Sequence, residues 1–199
     1  MKCTLCRWLR DNSLAPDEPL TGVIVARMKQ YSQMSKLQKL TKQIIVANFS
    51  QIEIEGLREI FHVMDSTGRG IISLPELIQA LGQLDSNVAE QELRWLLAAA
   101  DLNGDGLLDI NEFVTAAVSS SKVQRQGRVK AAFDAIDTNC DGVIDRDELS
   151  RALVIDPCSQ EELTAMFASV DANDDGVIDY VEFRTMMQGI PELDFHIKV

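Results

Sequence analysis

The sequence predicts an all-α chain of two pairs of helix-loop-helix units preceded by a basic amphipathic helix. Three observations carry that expectation. An acidic twelve-residue pattern starts at Asp65, Asp101, Asp137 and Asp171, at intervals of 36, 36 and 34 residues, as when one supersecondary unit is copied along a chain. Apolar residues at helical spacing flank each copy. The stretch from Pro19 to Ile52 carries five basic side chains (Arg27, Lys29, Lys36, Lys39, Lys42) and no acid, whereas from Glu53 onward there are 28 acids against 11 bases.

Each repeat has glycine at its sixth position (Gly70, Gly106, Gly142, Gly176), an aliphatic residue at its eighth (Ile72, Leu108, Ile144, Ile178) and glutamate at its twelfth (Glu76, Glu112, Glu148, Glu182). This is the EF-hand loop. Ca²⁺ is a hard cation that takes about six to eight oxygens, so a short loop must wrap it with ligands on alternate residues. The second loop offers Asp101, Asn103, Asp105, the Leu107 carbonyl, Asp109 (often through water) and a bidentate Glu112. The third offers Asp137, Asn139, Asp141, the Val143 carbonyl, Asp145 and Glu148, and the fourth Asp171, Asn173, Asp175, the Val177 carbonyl, Asp179 and Glu182. One Asp/Asn/Gly cluster would be an ordinary polar turn; three complete matches in register are not. The eighth-position aliphatics suit a short strand joining the loops in pairs.

The first loop departs from the pattern. Asp65, Thr67, the Ile71 carbonyl, Ser73 and Glu76 stand at ligand positions, but Arg69 occupies the fifth, and an arginine has no acceptor to offer. The sequence therefore predicts three calcium sites and a first loop that is weak or empty.

Capping boxes Ser50-x-x-Glu53 and Ser159-x-x-Glu162 open helices carrying Leu57, Ile60, Phe61 and Met64 and, in turn, Leu163, Met166, Phe167 and Val170. Residues 89–100, 110–119, 129–136 and 180–187 fill the other helical places. The polar run from Ser119 to Gln124 reads as the boundary between lobes, giving an N-terminal segment 1–49, a first hand pair 50–121 and a second hand pair with tail 122–199.

The net charge of −12 argues against nucleic acid as a partner. No apolar run approaches the roughly 18 residues of a membrane span. The N-terminus lacks a signal-peptide core and a glycine at position 2, so an intracellular place is expected, cytoplasmic with the nucleus possible. Cys3, Cys6, Cys140 and Cys158 are scattered and read as reduced thiols; Cys3-x-x-Cys6 lacks a second pair to complete a zinc site.

Between Tyr31 and Phe49 the apolar residues Tyr31, Met34, Leu37, Leu40, Ile44, Ile45 and Phe49 recur at intervals of one helical face, with Lys36, Lys39 and Lys42 among them. Calcium-opened lobes grip helices of this kind, with apolar anchors in a groove and cations at an acidic rim. A permanently packed surface helix and a membrane-surface helix are the other readings.

Trp8-Leu9-Arg10, Ala15-Pro16-Asp17-Glu18-Pro19-Leu20, Arg27-Met28-Lys29-Gln30-Tyr31 and Met34-Ser35-Lys36-Leu37, followed by four hands, resemble the C-terminal regulatory region of calcium-dependent protein kinases of plants, algae and apicomplexan parasites. The resemblance implies a junction helix from Tyr31 to Phe49 and a calmodulin-like body that folds against it. It also implies a calcium sensor whose partner is that helix or a kinase target helix. No kinase Gly-rich loop, HRD or DFG segment occurs (Asp194-Phe195-His196 is not DFG), so the chain by itself is expected not to be an enzyme. The ligand sets serve a passive calcium buffer equally well.

Overall fold

The computed structural model describes residues 20–82, 89–153 and 159–189. Cys3, Cys6, Cys158, residues 8–19 and Asp194-Phe195-His196 lie outside them. The described chain is mostly helical, with four two-residue strands set in loops between helices, and it divides into two compact units.

The first unit takes helix α1 (Leu20–Ser32) and, after an interruption, everything from Phe49 to Val118. Its first hand is α3 (Gln51–Met64), β1 (Ile71–Ile72) and α4 (Leu74–Gly82); its second is α5 (Glu90–Ala100), β2 (Leu108–Asp109) and α6 (Ile110–Ala117). Ser50 starts α3: its N–H donates to Glu53 Oε2 at 3.1 Å, meeting one of the donors a helix start leaves unpaired. Leu57, Phe61 and Met64 follow on the buried face of α3, and the Phe61 ring meets Phe113 of α6 edge-on at 5.7 Å. Strands β1 and β2 pair antiparallel, Ile72 opposite Leu108, both fully buried. Helix α1 packs on α5 and α6. Val23, Ile24, Val25, Arg27, Met28, Gln30 and Tyr31 are all buried, so α1 is sunk on most of its circumference. Arg27 donates from Nη1 to the Ala117 carbonyl at 3.3 Å, placing a cation where α6 ends and its carbonyls lack partners.

The second unit takes α2 (Lys36–Ala47) and residues 119–191. After a single turn, α7 (Ser120–Val123), come α8 (Gln126–Ile136), β3 (Val143–Ile144) and α9 (Arg146–Ala152), then α10 (Gln160–Val170), β4 (Ile178–Asp179) and α11 (Tyr180–Gln188). Ser159 and Glu162 form a reciprocal box at the start of α10. The Phe133 ring of α8 lies edge-on to both Phe183 and Tyr180 of α11, and β3 pairs with β4, Ile144 opposite Ile178. Helix α2 packs on α7 and α8, and Gln38 Nε2 donates to the Met186 carbonyl at 2.9 Å. Lys36 and Glu162 approach to 3.6 Å.

Three local features differ from the expectation. The segment from Tyr31 to Phe49 is not one helix: Tyr31 is on α1, the chain breaks over Gln33–Ser35, and Asn48 closes α2 before Phe49. The cause is a capping box at Ser35, whose Oγ accepts the Gln38 N–H at 3.2 Å while Gln38 Oε1 accepts the Ser35 N–H at 2.9 Å. Lys42, expected at a rim, is buried with Leu37, Thr41, Ile45 and Val46 on one face of α2. The polar run from Ser119 to Gln124 contains α7, with Val123 fully buried.

Candidate metal centre

Loops 2, 3 and 4 share one hydrogen-bond frame. The first-position carboxylates Asp101, Asp137 and Asp171 accept the sixth-position N–H of Gly106, Gly142 and Gly176 at 2.8, 3.0 and 2.9 Å. Those glycines have φ of +77°, +90° and +82°, values a Cβ opposes. Asn103, Asn139 and Asn173 accept from the N–H groups of Asp105, Asp141 and Asp175, which in turn accept from those of Leu107, Val143 and Val177. Each loop thus turns with its first, third and fifth side chains folded back onto the amides that follow them.

The ninth and twelfth positions close the frame. Asp109, Asp145 and Asp179 accept the N–H of Glu112, Glu148 and Glu182 at 2.8, 2.7 and 2.8 Å, and each glutamate accepts the ninth-position N–H in return. The twelfth-position glutamate is therefore also in the first turn of the outgoing helix α6, α9 or α11. The other oxygen of each glutamate takes the second-position N–H of Leu102, Thr138 or Ala172.

The donor sets fit a hard divalent ion. Asp137 is 4% exposed, and its Oδ1 accepts no hydrogen bond; a buried anionic oxygen without a donor is costly unless a cation faces it. Glu112 is 6% exposed, and burial pushes its carboxyl above the usual range despite three backbone N–H bonds. Burial, with a smaller contribution from the Glu112 charge, also raises the Tyr31 hydroxyl of α1. Burial acts the same way on Glu148, but the Asp145 and Asn139 amides and Thr138 outweigh it and hold that carboxyl low. Among the described residues no three carboxylate, imidazole or thiol side chains are already drawn together as a metal cage. Two of the six donors per loop are an asparagine and a backbone carbonyl, and the carboxylates are engaged by the loop's own amides.

Loop 1 is arranged differently. Asp65 accepts from Gly70 at 2.7 Å, as in the other loops, and from the Arg69 N–H at 3.1 Å, as Asp171 does from Asp175 in loop 4; the difference lies in the side chains around Glu76. Thr67 and Ser73 turn their hydroxyls onto Glu76, Arg69 reaches both Thr67 and Glu76, and Ile71 lies in β1. The sequence places Thr67 and Ser73 at ligand positions of a loop expected to be weak or empty, and it does not show that their hydroxyls donate to Glu76. The three hydroxyls at positions 66, 67 and 73 were the available signal.

Acidic loops of this geometry, each between two helices and joined in twos by a two-residue antiparallel ladder, define a divalent-cation-binding helix-loop-helix protein. Residues 54–118 and 128–188 match the EF-hand domain pair model, and the chain belongs to that family. It is 40% identical over 90 residues to calcium-dependent protein kinase 15 of Oryza sativa subsp. japonica, covering 45% of this chain and 17% of the kinase. It is 39% identical over 94 residues to calcium-dependent protein kinase 13 of the same plant, and 37% over 87 residues to calcium-dependent protein kinase SK5 of Glycine max. In both, the match spans 17% of the kinase, so this chain resembles an EF-hand regulatory region and aligns with about a sixth of such a protein. No described helix is long and apolar enough to cross a membrane.

Proposed function

We propose that the chain is a calcium sensor with three sites, which couples occupancy of loops 2, 3 and 4 to the seating of a basic helix, its own α2 or a kinase-type target helix. The observation that carries this reading is the common frame of the three loops, matched residue by residue. Asp101, Asn103, Asp105, Leu107, Asp109 and Glu112, and their equivalents in loops 3 and 4, would hold the ion. When bound, calcium supplies a divalent charge around which carboxylate, amide and carbonyl oxygens gather. Because Glu112, Glu148 and Glu182 sit in first turns, any change in what they face is passed on as a change in helix angle. A chain of this kind performs no phosphoryl transfer itself. The exposed free thiol of Cys140 suits a reducing intracellular compartment.

Hydrogen exchange along the full chain, with and without calcium in a magnesium background, tests this reading. Protection is expected to change in loops 2 to 4 and in residues 36–47 together, and Glu148→Gln is expected to remove the response of loop 3. A response confined to the loops would make the protein a buffer; unchanged calcium stoichiometry in Glu148→Gln would overturn the site.

A further inference from the structure

Loop 1 looks at first like a loop that has lost its ion. Its closing glutamate shows something else. Glu76 is 6% exposed and accepts from six donors: Ser66 Oγ (3.3 Å), Thr67 N (3.3 Å) and Thr67 Oγ1 (2.8 Å) on Oε1, and Ser73 N (2.9 Å), Ser73 Oγ (2.6 Å) and Arg69 Nη2 (3.4 Å) on Oε2. A carboxylate has about four lone-pair sites, so none remains to face an ion. The Ser73 hydroxyl and amide, with Thr67, hold this carboxyl down to about 2, which marks how fully its charge is met. Arg69 Nε bonds Thr67 Oγ1 at 2.9 Å, so one guanidinium ties the third, fifth and twelfth positions, which an ion would otherwise link. In loop 2 the equivalent Glu112 has only the amides of Leu102, Asn103 and Asp109.

We propose that loop 1 is a self-closed hand: Ser66, Thr67, Arg69 and Ser73 satisfy Glu76 in place of an ion, so that β1 stands ready for β2 and the first unit takes up calcium at loop 2 alone. The proposal rests on reading loop 2 as a calcium site. It assigns the donor residues of loop 1 a positioning role. Ile71 and Ile72 pair with Asp109 and Leu108, so a loop 1 fixed beforehand fixes the ninth-position ligand of loop 2 through the ladder. Without that support, ordering of β2 would have to be achieved on binding, at the expense of affinity.

Two measurements on the full chain decide it. In the calcium-free protein, the Gly70 and Ser73 amides are expected to be at least about tenfold more protected from exchange than Gly106 and Asp109. In the Glu148→Gln/Glu182→Gln background, calorimetry is expected to find one calcium ion per chain. Adding Thr67→Val and Ser73→Ala should weaken that site by at least about fivefold, although neither residue belongs to loop 2. Equal exchange of the two loops without calcium, uptake of two ions, or unchanged affinity in the hydroxyl variant would each overturn the proposal. Failure of loop 2 to bind at all would count against the calcium reading above, and the calcium-free comparison would still decide loop 1.

Discussion

Helices α1 and α2 are neighbours in sequence, yet they are built into their units in different ways. Helix α1 buries Val23, Ile24, Val25, Met28 and Tyr31 together with the polar Arg27 and Gln30, and Arg27 closes the end of α6. Helix α2 buries one face, Leu37, Thr41, Lys42, Ile45 and Val46, and leaves Lys36 and Ala47 in solvent. A helix buried on most sides cannot leave without opening the core around it, whereas a helix buried on one face can be exchanged for another of the same pattern. The contrast makes α1 the more deeply embedded helix and α2 the more shallowly seated one.

Truncation is the sharpest way to break this contrast. Tyr31→Ala is expected to cost the first unit about 3–5 kcal/mol, as large buried rings do, in urea melts of the calcium-free chain. Leu37→Ala should raise exchange in residues 36–47 by at least about tenfold while lowering the melt of the second unit by less than about 1 kcal/mol, because α2 can detach first. If Leu37→Ala melts its unit as deeply as Tyr31→Ala melts the other, α2 is core as well and the contrast falls.

Acid sharpens a second difference, between the glutamates that close the two loops of the first unit. The Glu76 carboxyl lies at about 2 against an ordinary 4.5, so the stability it contributes is full above 4.5 and is lost as pH falls toward 2. Glu112 is shifted the opposite way by burial, so its contribution is present below the ordinary value and is lost as pH rises through the folded one. Urea titrations of the calcium-free chain across this range should therefore show Glu76→Gln flattening the acid limb and Glu112→Gln raising stability near neutrality. The same slope in both variants would remove the difference.

The smallest expected effect concerns the fourth loop position, which is left-handed throughout: Gly68, Gly104, Cys140 and Asp174 have φ of 67°, 75°, 60° and 59°. Cys140→Gly should stabilise the second unit by about 1 kcal/mol or less, and Gly104→Ala should destabilise the first by a similar amount, measured by the same melts.

Most of the hands could be read from the sequence because their chemistry is local. Acidic, glycine and capping positions lie within twelve residues of one another, and Ser50 and Ser159 announce their helices with side chains three residues on. The break at Ser35 was equally local, but the apolar run through Tyr31, Met34 and Leu37 continues across it and hides the Ser35–Gln38 box. Lys42 was misplaced because a lysine on an apolar face is usually a rim residue, and burial depends on what covers the face. Which unit α1 and α2 each join has no local signature at all: the bonds that express it, Arg27 to Ala117 and Gln38 to Met186, connect distant segments.

Those two bonds also set a timetable for synthesis. The chain passes from the first unit into the second at Gln33, back at Phe49 and across again at Ser119, so neither unit is continuous in sequence. Arg27 must wait 90 residues for its carbonyl. Gln38 waits 148 residues, roughly 7–30 s at ribosomal rates of about 5–20 residues per second. Until α7 and α8, on which α2 packs, have been made, the nascent chain displays a basic helix with an apolar face and no seat of its own, the form in which a helix-binding chaperone or a finished copy of the second unit would capture it.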